Sequence, residues 1–239
     1  MSLTVCLPVA GTGSRLGELT RHLNKSLMSV GYKPTLARII DSFPADTEFV
    51  LPLGYKGELV REFLSLAYPG RTFYFTEVNL YEGPGSGLGL SLLTCRRFLQ
   101  KPFIFISCDT LVTEQIPLPD RNWMGWARRV DCNAYRTLAI EGQQVVAIQE
   151  KGMALAPESQ PYIGLAGIAD PDLFWQGMEN GGATAVEQGE AAGLRALLDS
   201  GKRIQACPFT WYDTGLPAGL AEADAAFHQP SGPNILNKP

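Results

Sequence analysis

Hydrophobic positions in the first 110 residues fall into short blocks that alternate between two periods. Residues 3–9 (LTVCLPV), 47–53 (TEFVLPL), 71–75 (RTFYF) and 101–110 (KPFIFISCDT) are apolar runs of strand length, and the last stops abruptly at Asp109. Between them, residues 34–43, 57–67 and 88–99 carry apolar side chains at helical spacing, with Pro34 suited to a first helical position. Strands alternating with helices predict an α/β fold: a doubly wound, mainly parallel, Rossmann-like sheet with helices on both faces.

The texture changes after Asp109. Residues 122–130, 134–140, 143–151 and 162–170 read as strands, which predicts a smaller antiparallel portion over one end of the sheet. Residues 171–178 and 189–201 read as helices, with 180–188 (NGGATAVEQ) as a mobile loop between them. A strand over 203–209, a turn at 211–215 (WYDTG) and a helix over 216–228 complete the pattern. Residues 229–239 have neither period. The expectation is one domain over 1–228, followed by a linker or a truncated junction to a further domain.

Composition narrows the function. A net charge of −4 on 239 residues speaks against nucleic acid as the main partner, since a basic face is usually required. No apolar run approaches the roughly 20 residues that span a bilayer, so no membrane partner is expected. Five cysteines without a CxxC pair fit reduced thiols in the cytoplasm, and two distant histidines make a poor zinc site.

The first strand runs into LPVAGTGSRLG. From Gly11 and Gly13, the third glycine of a dinucleotide fingerprint should fall at Leu16, and no Gly-Lys-Ser/Thr follows, so neither that motif nor a Walker loop is present. Glycines beyond a strand still let backbone N–H groups converge on an anion, and Arg15 and Lys25 would add positive charge for a triphosphate. A plain turn bearing two surface cations explains the loop equally well. Asp109 and Asp213 each end a strand-like stretch, where a carboxylate pair would suit Mg²⁺ and where each alone would suit a turn. Trp123 and Trp126 read as core or interface side chains more readily than as base-stacking platforms. Glu187 and Glu190 read as a solvated acidic pair, and Cys108 as a small strand-end residue.

Taken in order, AGTGSRLGELT, NKSLMSVGYKPTLARII, GPGSGLGLSLL, FIFISCDTLV, VVAIQEKG with YIGLAGIADPDLF, and WYDTGLPAGLAEA resemble the motifs of the sugar-phosphate nucleotidyltransferases, the nucleotide-sugar pyrophosphorylases. The resemblance runs from Leu3 to His228. It implies nucleotide contacts at Ala10, Gly11, Thr12, Gly13 and Ser14, and at Gly85, Ser86, Gly87 and Leu88. It places Arg15 and Lys25 on the triphosphate as catalytic cations, Glu150, Lys151 and Gly164 at the sugar phosphate, and Asp109 with Asp213 on Mg²⁺. The chain departs from the family pattern in having Ala10 for a glycine, Asn24 for a proline and Ala166 for a tyrosine.

The implied reaction joins an NTP and a sugar phosphate into an NDP-sugar and pyrophosphate by in-line attack on the α-phosphate. Its nucleophile is a phosphate monoester with a second pKa of about 6, already largely dianionic at neutral pH, so no general base is required. The implied partners are those two small molecules, with a homo-oligomer left open. Transfer to a non-sugar phosphate such as phosphocholine is an alternative. So is a nucleotide-sugar-dependent glycosyltransferase, although Asp109-Thr110-Leu111 is not its usual Asp-x-Asp. A binding-only regulatory relative is a third.

Overall fold

The inner strands of the first half bury both faces, and their alternate residues feed two separate cores. The computed structural model describes residues 2–128, 132–152 and 159–228. The chain begins with β1 (Thr4–Cys6), a 3-10 segment over Ser14–Thr20 and a small hairpin, β2 (Ser29–Val30) and β3 (Lys33–Pro34). It continues through α1 (Thr35–Asp41), β4 (Glu48–Leu53), α2 (Gly57–Ala67), β5 (Thr72–Glu77), α3 (Leu88–Cys95) and β6 (Phe103–Ile106). Then come β7 (Thr110–Val112), β8 (Trp123–Trp126), β9 (Thr137–Glu141), β10 (Gln144–Gln149) and β11 (Gln160–Ile168). The helices α4 (Pro171–Asn180), α5 (Gly182–Gln188) and α6 (Glu190–Asp199) follow, then β12 (Gln205–Pro208), β13 (Trp211–Asp213) and α7 (Pro217–Phe227).

Nine strands form one sheet in the order β5-β4-β1-β6-β11-β8-β12-β10-β9. Strands β5, β4, β1 and β6 are parallel to one another. β11 then enters antiparallel to both β6 and β8, and β10 is antiparallel to β9 and β12. β12, which returns after the helices α4 to α6, is again parallel to β8. The sheet is therefore mixed: the expected parallel pairing runs through its first half and recurs at β8–β12, and the expected antiparallel portion is larger than the sequence suggested. Sequential βαβ crossovers force parallel pairing in the first half; the strands after Asp109 lack intervening helices until α4, so they are free to pair antiparallel.

Val5, Phe49, Leu51, Ile104 and Ile106 enter one core, with Leu36, Ile39 and Ile40 of α1 and Val60 and Leu64 of α2. Cys6, Val50, Phe103 and Phe105, their immediate neighbours along the strands, enter the other with Leu92 of α3 and Phe174, Trp175 and Met178 of α4. The two-residue strand repeat splits each run between the cores. This is why β6 reads as an unbroken apolar block: neither face meets water.

Residues 180–188 form the end of α4 and α5 rather than a loop. Glycines and threonine are weak helix formers, but Ala185 is fully buried and α5 lies directly on α3. A side chain at Gly87 or Gly89 would strike the backbone of Val186 and Ala185, so packing rather than local propensity makes this helix. The expected turn at 211–215 contains the short strand β13, paired antiparallel with β7 so that Asp213 stands opposite Thr110. Trp123 is 1% exposed and its indole N–H donates to the Leu118 carbonyl at 3.1 Å, which makes it a core residue. The expected linker at 229–239 lies outside the described residues. Among the described residues no helix is long and apolar enough to cross a membrane.

Candidate active site

The glycine loop is held at its base by one buried side chain. Past β1 the chain stays extended beside β4, with Leu7 N donating to Val50 O at 2.9 Å and Val9 N to Pro52 O at 3.2 Å. Asn24, fully buried, donates from Nδ2 to Val9 O at 2.8 Å and to Tyr55 O at 2.7 Å. Its Oδ1 accepts from Ser26 N at 3.0 Å and Ser26 Oγ at 2.8 Å. The residue that replaces proline in the family pattern thus ties the ends of β1 and β4 to the segment bearing Lys25. Asn24→Ala would leave two buried carbonyls without this donor, and a loss of about 3 kcal/mol is expected. Urea unfolding measures it; an unchanged midpoint would mean the carbonyls find other partners.

Within the loop, Gly13 adopts φ 70°, a left-handed conformation natural to glycine, and a Cβ there would stand 2.9 Å from Lys25 Cβ. The following 3-10 segment is broken at Gly17, with φ 57° and ψ −127°. The loop therefore does not lead into an α-helix, and any anion cradle here would rest on loop amides and cations.

Those cations meet the first aspartate. Lys25 Nζ donates to Asp109 Oδ2 at 2.8 Å, and Arg15 Nη2 lies 3.6 Å from the same oxygen. Burial disfavours the Asp109 carboxylate, but Lys25, and Arg15 after it, outweigh that cost and hold its pKa below the ordinary value. Burial likewise works against the Lys25 ammonium, and the Asp109 charge more than compensates, raising its pKa. Cys108, buried beside them, is pushed up to about 11 chiefly by desolvation and remains a thiol at neutral pH.

Asp213 reaches the same place from β13. Its Oδ1 accepts from Gly215 N at 2.9 Å and its Oδ2 from Tyr135 Oη at 3.1 Å. Thr214 fastens the two loops, donating from both N and Oγ1 to the Asp109 carbonyl. Convergence is sharpest at Gly215, where a Cβ would stand 2.7 Å from Asp109 Oδ2, 2.9 Å from Arg15 Nη2 and 3.1 Å from Asp213 Oδ1. Among the described residues no group of three or more His, Cys, Asp or Glu is placed to hold a metal. Two converging carboxylates do fit Mg²⁺, which takes one or two from protein and keeps its other positions for water and phosphate.

These groups line a cleft of about 360 Å³. Ala10, Gly11, Gly87 and Leu88 lie on its wall, as do Arg15, Lys25, Asp109 and Asp213. Lys151 and Gly164 line it as well; Gly164 has φ 70° and backs onto Ser107. Thr12, Gly13, Ser14, Gly85 and Ser86 belong to the same two loops but not to the cleft wall. Burial, then the charges of Arg15 and Arg136, lower the Lys151 pKa, so the cleft already carries an excess of positive charge near that residue.

Glu150 does not line the cleft. Arg136 donates to it from Nε at 3.2 and 3.3 Å and from Nη2 at 3.2 Å, and Arg195 Nη2 donates at 2.5 Å. Burial alone would raise its pKa, but the two guanidiniums lower it. The expectation that Glu150 meets a sugar phosphate is met by a carboxylate already engaged from two sides. Glu190, expected on a solvated face, is instead 2% exposed and lines the cleft beside Arg136 and Tyr162. Tyr162 stands two residues before Gly164 on β11, and that strand spacing was the signal for it; nothing in the local sequence marks Arg136.

No family model matches the chain. A probable glucose-1-phosphate cytidylyltransferase of Bacillus subtilis (strain 168) is 42% identical over 55 residues, a match spanning 22% of this chain and 22% of that protein. The fold extends the likeness to nearly the full length. A UDP-glucose pyrophosphorylase solved with UDP-glucose superimposes with a TM-score of 0.78 at 19% identity, covering 95% of this chain and 99% of that one. A CTP:phosphocholine cytidylyltransferase from Streptococcus pneumoniae gives 0.74 at 15% identity, covering 95% and 99%. The resemblance carried by the motifs is borne out in the fold these neighbours share with the chain.

Proposed function

We propose that this chain condenses a nucleoside triphosphate with a sugar phosphate, releasing pyrophosphate and an NDP-sugar. The observation that carries the reading is the meeting of Asp109, Asp213 and Arg15 around Gly215, with Lys25 paired to Asp109, in a cleft also lined by Ala10 and Gly11 of the glycine loop and by Lys151 and Gly164. Two anions that repel each other must be brought together, and negative charge must be neutralised as pyrophosphate leaves. Arg15 and Lys25 bind the leaving phosphates, Arg15 through its forked donors and Lys25 as a point charge. Lys151 orients the incoming phosphate monoester. Asp109 and Asp213 would hold Mg²⁺, which when bound supplies charge neutralisation at the phosphoryl oxygens.

No base is needed, because the attacking monoester loses its second proton with a pKa of about 6. The buried Cys108 thiol plays no part. All four charged groups are present and mutually placed, which favours turnover over a binding-only relative. We read the architecture as Rossmann-like and doubly wound, and the enzyme as cytoplasmic.

Pyrophosphate release tests the proposal. ATP, CTP, GTP, UTP and dTTP are each offered with Mg²⁺, a panel of sugar 1-phosphates and phosphocholine. Release is expected with a hydroxylated partner and is abolished in Asp109→Ala. Silence throughout, with nucleotide binding intact by calorimetry, would leave a binding domain. Transfer to phosphocholine is the second reading, favoured by the fold shared with the pneumococcal cytidylyltransferase.

A further inference from the structure

Two arginines from distant parts of the chain grip a carboxylate that stands just outside the cleft. Glu150 follows directly on β10 and does not line the cleft, whereas the next residue, Lys151, does. Arg136, at the entry to β9, donates to both Glu150 oxygens, and Arg195 of α6 donates to Oε1 at 2.5 Å. Arg195 does more than pair with that charge. Its Nη2 also donates to the Ile148 carbonyl at 3.3 Å and its Nη1 to Gln188 Oε1 at 2.6 Å. One guanidinium thus fastens the end of β10, the end of α5 and Glu150 together. Arg136 Nη2 closes the cluster by donating to the Gln188 carbonyl at 2.9 Å. Arg195 lines the groove between α4, α5 and α6, on the far side of Glu150, and not the cleft.

We propose that Arg195 is a positioning residue: through Glu150 it fixes the end of β10 and so places Lys151 against the phosphate of the second substrate. The inference rests on the nucleotidyltransferase reading and gives a part in it to a residue that touches no substrate. Forked, charge-assisted hydrogen bonds fix geometry as well as contributing energy. Lys151 makes no hydrogen bond or ion pair with another described residue, and its flexible four-carbon stem does not orient itself. The restraint on its ammonium therefore enters through the backbone, one residue earlier. Without Arg195, Glu150 is held from the Arg136 side alone, and the Ile148 carbonyl and Gln188 side chain lose their shared donor. A displacement of about 1 Å at a substrate-orienting group can cost as much as about 100-fold in rate. Glu150 is thereby reassigned from the sugar-phosphate contact implied by the motifs to an anchor for its neighbour.

The test is a double-variant cycle on the whole chain. Arg195→Met, Lys151→Met and the two together are compared with the wild type, using the five nucleoside triphosphates, the sugar 1-phosphates and phosphocholine. Urea midpoints establish that each variant is folded; Arg195→Lys, which keeps the charge but not the fork, replaces Arg195→Met if the latter is not. Lys151→Met is expected to lower kcat/KM for the phosphate partner by about 100-fold and Arg195→Met by about 10-fold, with the nucleotide Kd unmoved. In the Lys151→Met background, the loss of Arg195 should add less than about 2-fold, because the group it positions is gone. A merely structural ion pair would instead give factors that multiply.

Multiplying factors, an unchanged kcat/KM in a folded Arg195 variant, or an equal loss in nucleotide affinity each overturn the positioning role while the transferase reading stands. A wild type that releases pyrophosphate with none of the phosphate partners removes both.

Discussion

Lys25→Met is expected to lower turnover by about 10³-fold and to destabilise the fold by about 3 kcal/mol. Lys25 is 19% exposed and Asp109 15%, and their contact at 2.8 Å is the closest that either charge makes. In the proposed reaction, removing the ammonium would deprive the leaving phosphates of a fixed cation, which is the expected catalytic loss. It also leaves the Asp109 carboxylate in a largely dry place with only Arg15, 3.6 Å away, as compensation. Breaking one side of a buried pair is costly because the other charge stays behind. The double variant Lys25→Met with Asp109→Asn therefore recovers most of the stability and none of the activity. Steady-state kinetics and urea unfolding on the three proteins separate the two effects; a single variant as stable as the wild type would contradict the pairing argument.

Arg15→Ala behaves differently. Its side chain is 51% exposed, so its ion pair with Asp109 is screened by water and contributes little to stability. Turnover is nonetheless expected to fall by about 10²-fold, with a much smaller change in KM for NTP. A group that binds leaving charge more tightly in the transition state than in the ground state acts on kcat. Thermal unfolding should shift by less than about 2 °C, in keeping with the loss of a surface pair. Unchanged kcat with a raised KM would reduce Arg15 to a plain binding residue.

The contrast between these two cations shows where the sequence stopped being informative. Arg15 and Lys25 read alike on paper, as positive residues near a glycine loop. Only the fold makes one a buried partner of Asp109 and leaves the other at the surface, because Asn24 ties the Lys25 segment to Val9 and Tyr55. Asn24 departs from the family pattern in sequence, and its four hydrogen bonds give the departure a structural role. Glu150 and Glu190 exchanged places for a related reason. Each is an acidic residue beside a strand or helix end, and their fates were decided by Arg136 and Arg195, which come from distant parts of the chain.

The strands and helices of the first half were legible because burial on both faces writes itself directly into apolar runs and helical spacing. So were Asp109 and the glycine loop, whose chemistry depends on residue type and on position relative to a strand. An antiparallel portion after Asp109 was legible too, but its strand order with β12 parallel to β8, the helix over Gly182–Gln188 and the meeting of Glu190 with Tyr162 on the cleft wall were decided only by tertiary structure. Strand direction follows from which partner a segment meets, and α5 from the glycines of α3 that let it lie close. A carboxylate's role depends on which cation reaches it first, and that is a matter of distances in space that no local pattern records.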